Sequence, residues 1–143
     1  MLVEKNKITE LLPQRNPILM IDSLVSQNET FTVTNFEVLD SNMFVRDMEL
    51  QEGGILENIA QSAAARAGYF YKLHNQVPPM GFIGAITKVL IARHPKVGEN
   101  LRTVVEKKSE VFNITLIKGV TYIGDEQIAE CEMKIVIDDS KKS

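Results

Sequence analysis

One segment limits what this chain can fold into. Residues 53–74 read GGILENIAQSAAARAGYFYKLH, the only stretch long and regular enough to predict an extended helix. Ala60, Ala63, Ala64, Ala65, Ala67 and Gly68 make much of it thin, while Ile55, Leu56 and Ile59 add apolar surface. Over its first four turns the only charges are Glu57 and Arg66. A helix that is apolar over most of its circumference is surrounded by protein, not laid on a surface. Its small side chains let other backbones come close.

The rest of the chain must therefore supply the wrapping, and most of it reads as strand. Ile8, Leu11 and Leu12 at helical spacing predict a short helical segment within residues 1–12, stopped by Pro13 and Pro17. An apolar run at 18–25 (ILMIDSLV) and an alternating, β-branched and aromatic run at 30–38 (TFTVTNFEV) predict two strands, with a turn at 27–29. Residues 40–52 read as irregular. After Pro78-Pro79 four strands are expected, at 81–92, 101–110, 111–123 and 127–137. Gly84 can bend or bulge the first of them, and Gly124-Asp125-Glu126 joins the last two. Strands and helix segregate, which gives an α+β class with a largely antiparallel sheet curled around the one long helix. The 143 residues match one domain of ~150, spanning 1–143, and its polar end at 138–143 (DDSKKS) is expected to fray.

Composition narrows the function. With 16 Lys and Arg against 19 Asp and Glu, the net charge is -3, which argues against binding a nucleic-acid backbone. A single cysteine, Cys131, rules out a disulfide within the chain, and with only His74 and His94 beside it a Cys/His zinc cluster is not supported. No metal and no cofactor are expected. No apolar run approaches a membrane span, and the opening MLVEKNKITELL does not read as a secretory signal, so the expected location is the cytoplasm. Cys131 alternates within the last strand as a core thiol would. His74 sits where a cation complements the end of the helix, and His94 reads as a surface-turn histidine. Asp22, inside an apolar strand, needs a buried partner, either backbone or Arg15.

Several segments together resemble one family. LLPQRNPILMID at 11–22 is similar to the opening Leu-Leu-Pro-His-Arg-x-Pro-x-Leu-x-x-Asp of the 3-hydroxyacyl-(acyl-carrier-protein) dehydratases. LENIAQSAA in the helix resembles their Leu-Glu-x-x-Ala-Gln-x-x-Ala. GFIGAITKV and ARHPKVGENL look like their Gly-x-Ile segment and Arg-x-Pro-Val-x-Pro-Gly-Asp-x-Leu turn. The likeness runs from Leu11 to Ile137 and implies the hotdog fold, an antiparallel sheet wrapped around one central helix. An Arg-Asp loop at 44–47 (FVRD) is also similar to that of dehydratase-like proteins associated with aryl-polyene and flexirubin-type pigments, some of which resemble companion subunits.

The resemblance implies loss of water from a 3-hydroxyacyl thioester carried on acyl carrier protein or coenzyme A. That chemistry needs a base, a group that handles the departing hydroxyl, and N–H donors to the thioester carbonyl. In the family a histidine before the helix is the base, and a helix carboxylate from the other subunit orients water or hydroxyl. Glu57 stands where the family has that carboxylate, and Gln61 follows one turn later on the same face. These two are the catalytic candidates, although Glu57 also suits an ordinary acid near a helix start. The histidines are replaced: Met43 lies at the base position and Gln14 at the Pro-His-Arg position. Met43, Phe44, Gly53, Gly54 and Gly84 are the substrate-binding candidates, with Met48 a further tunnel lining. Gly53 and Gly54 could offer free N–H groups to a carbonyl, or simply a flexible entrance to the helix.

The implied partners are an acyl thioester, in a tunnel at a subunit interface, and a second hotdog subunit. The assembly is a homodimer or a heteromer with an active dehydratase. Alternatives to a working dehydratase are a non-catalytic companion subunit and an acyl thioesterase that uses Glu57.

Overall fold

The computed structural model describes residues 1–138. The expected tail at 139–143 lies outside the described residues. A 3-10 segment at Lys5–Glu10 is followed by β1 (Ser23–Gln27), β2 (Phe31–Glu37) and a small hairpin of β3 (Val45–Arg46) and β4 (Glu49–Leu50). Then come helix α1 (Glu52–Leu73) and strands β5 (Met80–Ile91), β6 (Asn100–Val111), β7 (Ile114–Ile123) and β8 (Glu126–Asp138). Six strands form one antiparallel sheet in the order β1-β2-β6-β7-β8-β5. The hairpin strands pair with each other, and Glu49 of β4 also bridges to Lys96. This is the α+β hotdog architecture, in the element order the sequence predicts.

α1 touches every strand of the sheet, and no residue from Gly54 to Tyr69 is exposed. The small residues make this possible. A Cβ on Gly119 of β7 would strike the Ile59 side chain, and one on Gly68 would strike the Leu11 carbonyl. The main core gathers Met20, Phe36, Leu50, Ile55, Ile59, Leu101, Val105, Ile117, Ile128 and Met133 between helix and sheet. A second cluster packs Val3, Ile8, Leu11 and Leu12 against Ala65, so the N-terminal segment covers the far half of the helix. Cys131 is buried in the main core, where burial pushes its thiol up to about 11 and leaves it unreactive.

Several local expectations are corrected. The first element is a single 3-10 stretch rather than an α-helix, ending where Leu11 and Leu12 turn into the second core cluster. The central helix starts at Glu52 and ends at Leu73; His74 is its C-cap. The expected strand at 18–25 begins only at Ser23, because the main chain of Ile18 and Met20 bonds to helix side chains instead of to a neighbouring strand. The first hairpin turns one residue later than expected, with Asn28 N–H donating to the Phe31 carbonyl (2.9 Å). The stretch expected to be irregular holds the β3–β4 hairpin, turned by Asp47 and Met48, both at positive φ. Asp138 ends β8 and is not part of a frayed tail. Gly84 does bulge: β5 pairs Ile83 with Ile135 and Ala85 with Lys134 and leaves Gly84 out of register.

Candidate functional site

The first three turns of α1 carry a line of polar side chains on an otherwise apolar helix. Glu57 is half-buried, and Asn58, Gln61 and Ser62 are buried. Glu57 and Gln61 are one turn apart, and Gln61 Nε2 donates to Glu57 Oε1 (2.9 Å). The same nitrogen donates to the Ile18 carbonyl (2.8 Å), while Gln61 Oε1 accepts the Met20 N–H (2.6 Å). Both N–H donors of this amide are thus committed and its oxygen is engaged, and Glu57 is held by it from one side. Glu57 does not cap the helix: the N-cap is Gln51 and the acid of the first turn is Glu52.

Residues missed by the sequence reading complete this arrangement. Asn58 Nδ2 donates to the Met20 carbonyl (2.7 Å), and Asn58 Oδ1 accepts from Thr103 Oγ1 (2.6 Å). Thr103 also bonds Thr121 (2.9 Å), and Ser62 bonds both the Asn58 carbonyl and Thr34 (2.7 Å each). Their signal was present in the sequence: amide and hydroxyl side chains at helical spacing inside an apolar helix must find buried partners.

The loop before the helix closes over its start. Asn42 Oδ1 accepts the Phe44 N–H (2.8 Å), Asn42 N–H donates to the Leu39 carbonyl, and Asn42 Nδ2 reaches the Met20 sulfur (3.2 Å). Phe44 lies on the first turn: its ring would meet a Cβ on Gly53 at 3.7 Å, and its Cβ would meet one on Gly54 at 2.7 Å. Met43 projects outward with 53% of its surface exposed. Phe44, Gly53 and Gly54 therefore form one cluster, with Met43 beside it and Glu57–Gln61 one turn along. Gly84 stands apart on β5.

The two histidines lie at the end of α1 and in the loop after β5. His74 Nδ1 lies 2.8 Å from the Phe70 carbonyl at the end of α1, roughly 25 Å along the axis from Glu57 at 1.5 Å per residue. His94 belongs to the loop after β5, which Arg93 pins by a two-point bond to Glu99 (2.9 and 3.0 Å) and further bonds to Glu126 (both 3.1 Å). With Arg93 and the Lys96 N–H beside it, the Glu99 carboxyl is held down to about 2. The loop reaches the β3–β4 hairpin, where Leu50 N–H donates to the Pro95 carbonyl (2.7 Å) and Val97 N–H to that of Met48 (3.0 Å). Between them lies a shallow concavity of about 320 Å³ lined by Asp47, Met48, Glu49, Lys96 and Val97, which Glu57 does not line.

Asp22 and Arg15 do not pair. Asp22 accepts the Glu37 N–H (2.8 Å), and burial, opposed by that bond and by Lys5, raises its carboxyl above the ordinary range. Arg15 donates to the Leu12 and Gln14 carbonyls. Among the described residues no group of three or more His, Cys, Asp and Glu is placed to hold a metal ion, and no helix is long and apolar enough to cross a membrane.

The ApeP-like family, described as ApeP dehydratase, matches residues 6–142. This chain belongs to the ApeP-like dehydratase family. It is 23% identical over 142 residues to the 3-hydroxyacyl-[acyl-carrier-protein] dehydratase FabZ of Pelotomaculum thermopropionicum, covering 95% of this chain and 99% of that one. It is 27% identical over 135 residues to FabZ of Clostridium kluyveri, covering 92% and 94%. Among solved structures, the dehydratase heterocomplex ApeI:P from Xenorhabdus doucetiae superposes with a TM-score of 0.85 at 12% identity, covering 92% of this chain and 90% of that one. At that identity the match speaks for the hotdog fold. The ApeP-like assignment agrees with the helix motif LENIAQSAA, which carries both Glu57 and Gln61.

Proposed function

We propose that this ApeP-like protein binds a 3-hydroxyacyl thioester at an interface with a second hotdog subunit and contributes Glu57 to its dehydration. The observation that carries this reading is a carboxylate kept and oriented by Gln61 in a chain with Met43 where the family has its histidine. The family site takes its histidine from one subunit and its carboxylate from the other. Two copies of this chain would bring two carboxylates and no base. Paired with a histidine-bearing dehydratase, it would complete one site: the partner's histidine would take the C2 proton, while Glu57 would orient the departing hydroxyl and give it the proton with which it leaves as water, regaining that proton from the histidine. The Gly54 N–H is already given to the Gln51 carbonyl (3.0 Å), so of the two expected donors the Gly53 N–H would face the thioester carbonyl, and Met43 and Phe44 would lie along the acyl chain. The heterocomplex named for the Xenorhabdus structure fits such a pairing, as does the edge of β5, which is unpaired among the described residues and exposes Phe82, Ile83, Ile86 and Leu90.

The test is a mixed assembly in which the partner's own helix carboxylate has been changed to the amide, so that Glu57 is the one carboxylate left for the partner's histidine. Enoyl absorbance should rise with this assembly and not with the present chain alone, and Glu57→Gln should slow turnover about a hundredfold. Dehydration by the chain alone, or an unchanged rate with Glu57→Gln, would sink the proposal. Release of free thiol in place of enoyl product would assign a thioesterase.

A further inference from the structure

The hydrogen-bond directions around Glu57 are forced by groups that can play only one role. The Ile18 and Met20 carbonyls can only accept and the Met20 N–H can only donate. The Met20 carbonyl therefore requires the Asn58 NH2 group, which turns Asn58 Oδ1 toward Thr103, so the Thr103 hydroxyl must donate to it. With its one proton used, Thr103 can only accept from Thr121. On the other side of Met20, its N–H requires Gln61 Oε1, which turns Gln61 Nε2 toward Ile18 and Glu57. Both Nε2 protons are then spent, one on the Ile18 carbonyl and one on Glu57 Oε1. A single directed chain runs from the sheet to the carboxylate: Thr121, Thr103, Asn58, the main chain of Met20, Gln61, Glu57.

We infer that Asn58 is a positioning residue for Glu57, acting through Met20 and Gln61, so that Glu57 Oε1 always accepts and only Oε2 exchanges a proton. The inference rests on the proposed role of Glu57. Asn58 is fully buried and touches no substrate; its work is to hold Met20 in place. Without it the Met20 peptide can shift, Gln61 can rotate, and either Glu57 oxygen can carry the proton. A carboxylate that hands over a proton through one defined oxygen loses rate when that definition is lost.

The experiment uses the mixed assembly with Asn58→Leu, Gln61→Leu, or both in this chain. Each single change should lower kcat about tenfold with KM moved less than about twofold, and the pair should lose no more than Gln61→Leu alone. Losses that multiply, or a kcat for Asn58→Leu within about twofold of the unmodified assembly, would overturn the inference. A second measurement needs no turnover. In the chain alone, the Gln61 side-chain amide protons should exchange slowly with solvent by NMR, and Asn58→Leu should speed that exchange at least about tenfold. Unchanged Gln61 exchange in folded Asn58→Leu protein would also overturn it. If Asn58→Leu does not fold, Thr103→Val leaves Asn58 in place but removes the hydroxyl that orients it. A rise of about threefold in Gln61 exchange is then expected, and no rise counts against the chain of bonds. An inactive mixed assembly would sink the dehydratase reading and leave the positioning role to the exchange measurement.

Discussion

Two adjacent glycines at the start of α1 have opposite jobs. A Cβ on Gly54 would come within 2.6 Å of Leu50 Cδ1 and 2.7 Å of Phe44 Cβ, whereas one on Gly53 would meet only the Phe44 ring at 3.7 Å. Gly54→Ala should therefore cost about 1–3 kcal/mol through overpacking. Gly53→Ala should add about 0.5–1 kcal/mol, because alanine restricts the unfolded chain and suits a helix interior. Urea unfolding of the two variants checks the sign of each. The sequence showed both glycines at a helix start and offered two explanations, free N–H groups or flexibility. It could not show Phe44 pressing on one of them, since that contact depends on how the loop at 42–45 folds back. Glu57 and Gln61 were legible from the motif that carries them. Asn58 was legible only as a polar residue in an apolar helix, and its partners Met20 and Thr103 lie far away in the chain.

At the scale of elements, the loop from Arg93 to Glu99 ties the end of β5 to the hairpin ahead of α1. Its anchor is ionic. Glu99 is held at about 2, below its ordinary 4.5, chiefly by the Arg93 bond and then by the Lys96 N–H. A carboxyl whose folded value is depressed stabilises the fold above its unfolded value and loses that contribution as the pH falls toward the folded one. Stability should thus decline as pH drops from about 4.5 toward 2, and Glu99→Gln should flatten that part of the profile while lowering stability at pH 7; thermal unfolding across pH measures both. The family-like turn ARHPKVGENL was visible in the sequence, but its residues gave no sign that Arg93 would also reach Glu126 at the start of β8. The N-terminal strand was misplaced for a related reason. An apolar run predicts a buried extended segment, but whether its main chain pairs with a strand or with helix side chains is decided by what lies opposite.

For the whole molecule, the open question is what the sheet does at its end. Among the described residues β5 pairs only with β8, and no strand pairs with its other edge. Ile83 and Ile86 pair with Ile135 and Met133, on the side of the sheet that faces α1, yet each keeps about two-fifths of its surface exposed. An unprotected apolar edge invites another strand. Changing both isoleucines to lysine should shift the protein, alone or mixed with a histidine-bearing partner, to the monomer mass by light scattering. An unchanged assembly mass would move the interface elsewhere.

By itself the sequence determined the class and order of the fold, because those follow from local properties. One thin, apolar helix must be wrapped, and the alternating, β-branched segments around it can only wrap as strands. It also determined which acid stands among the buried polar residues of that helix. Tertiary structure alone decided the rest. A hydrogen bond has a direction, and direction depends on which groups meet. Only the folded chain brings Met20, Asn58, Thr103 and Gln61 together and so decides which oxygen of Glu57 is left free.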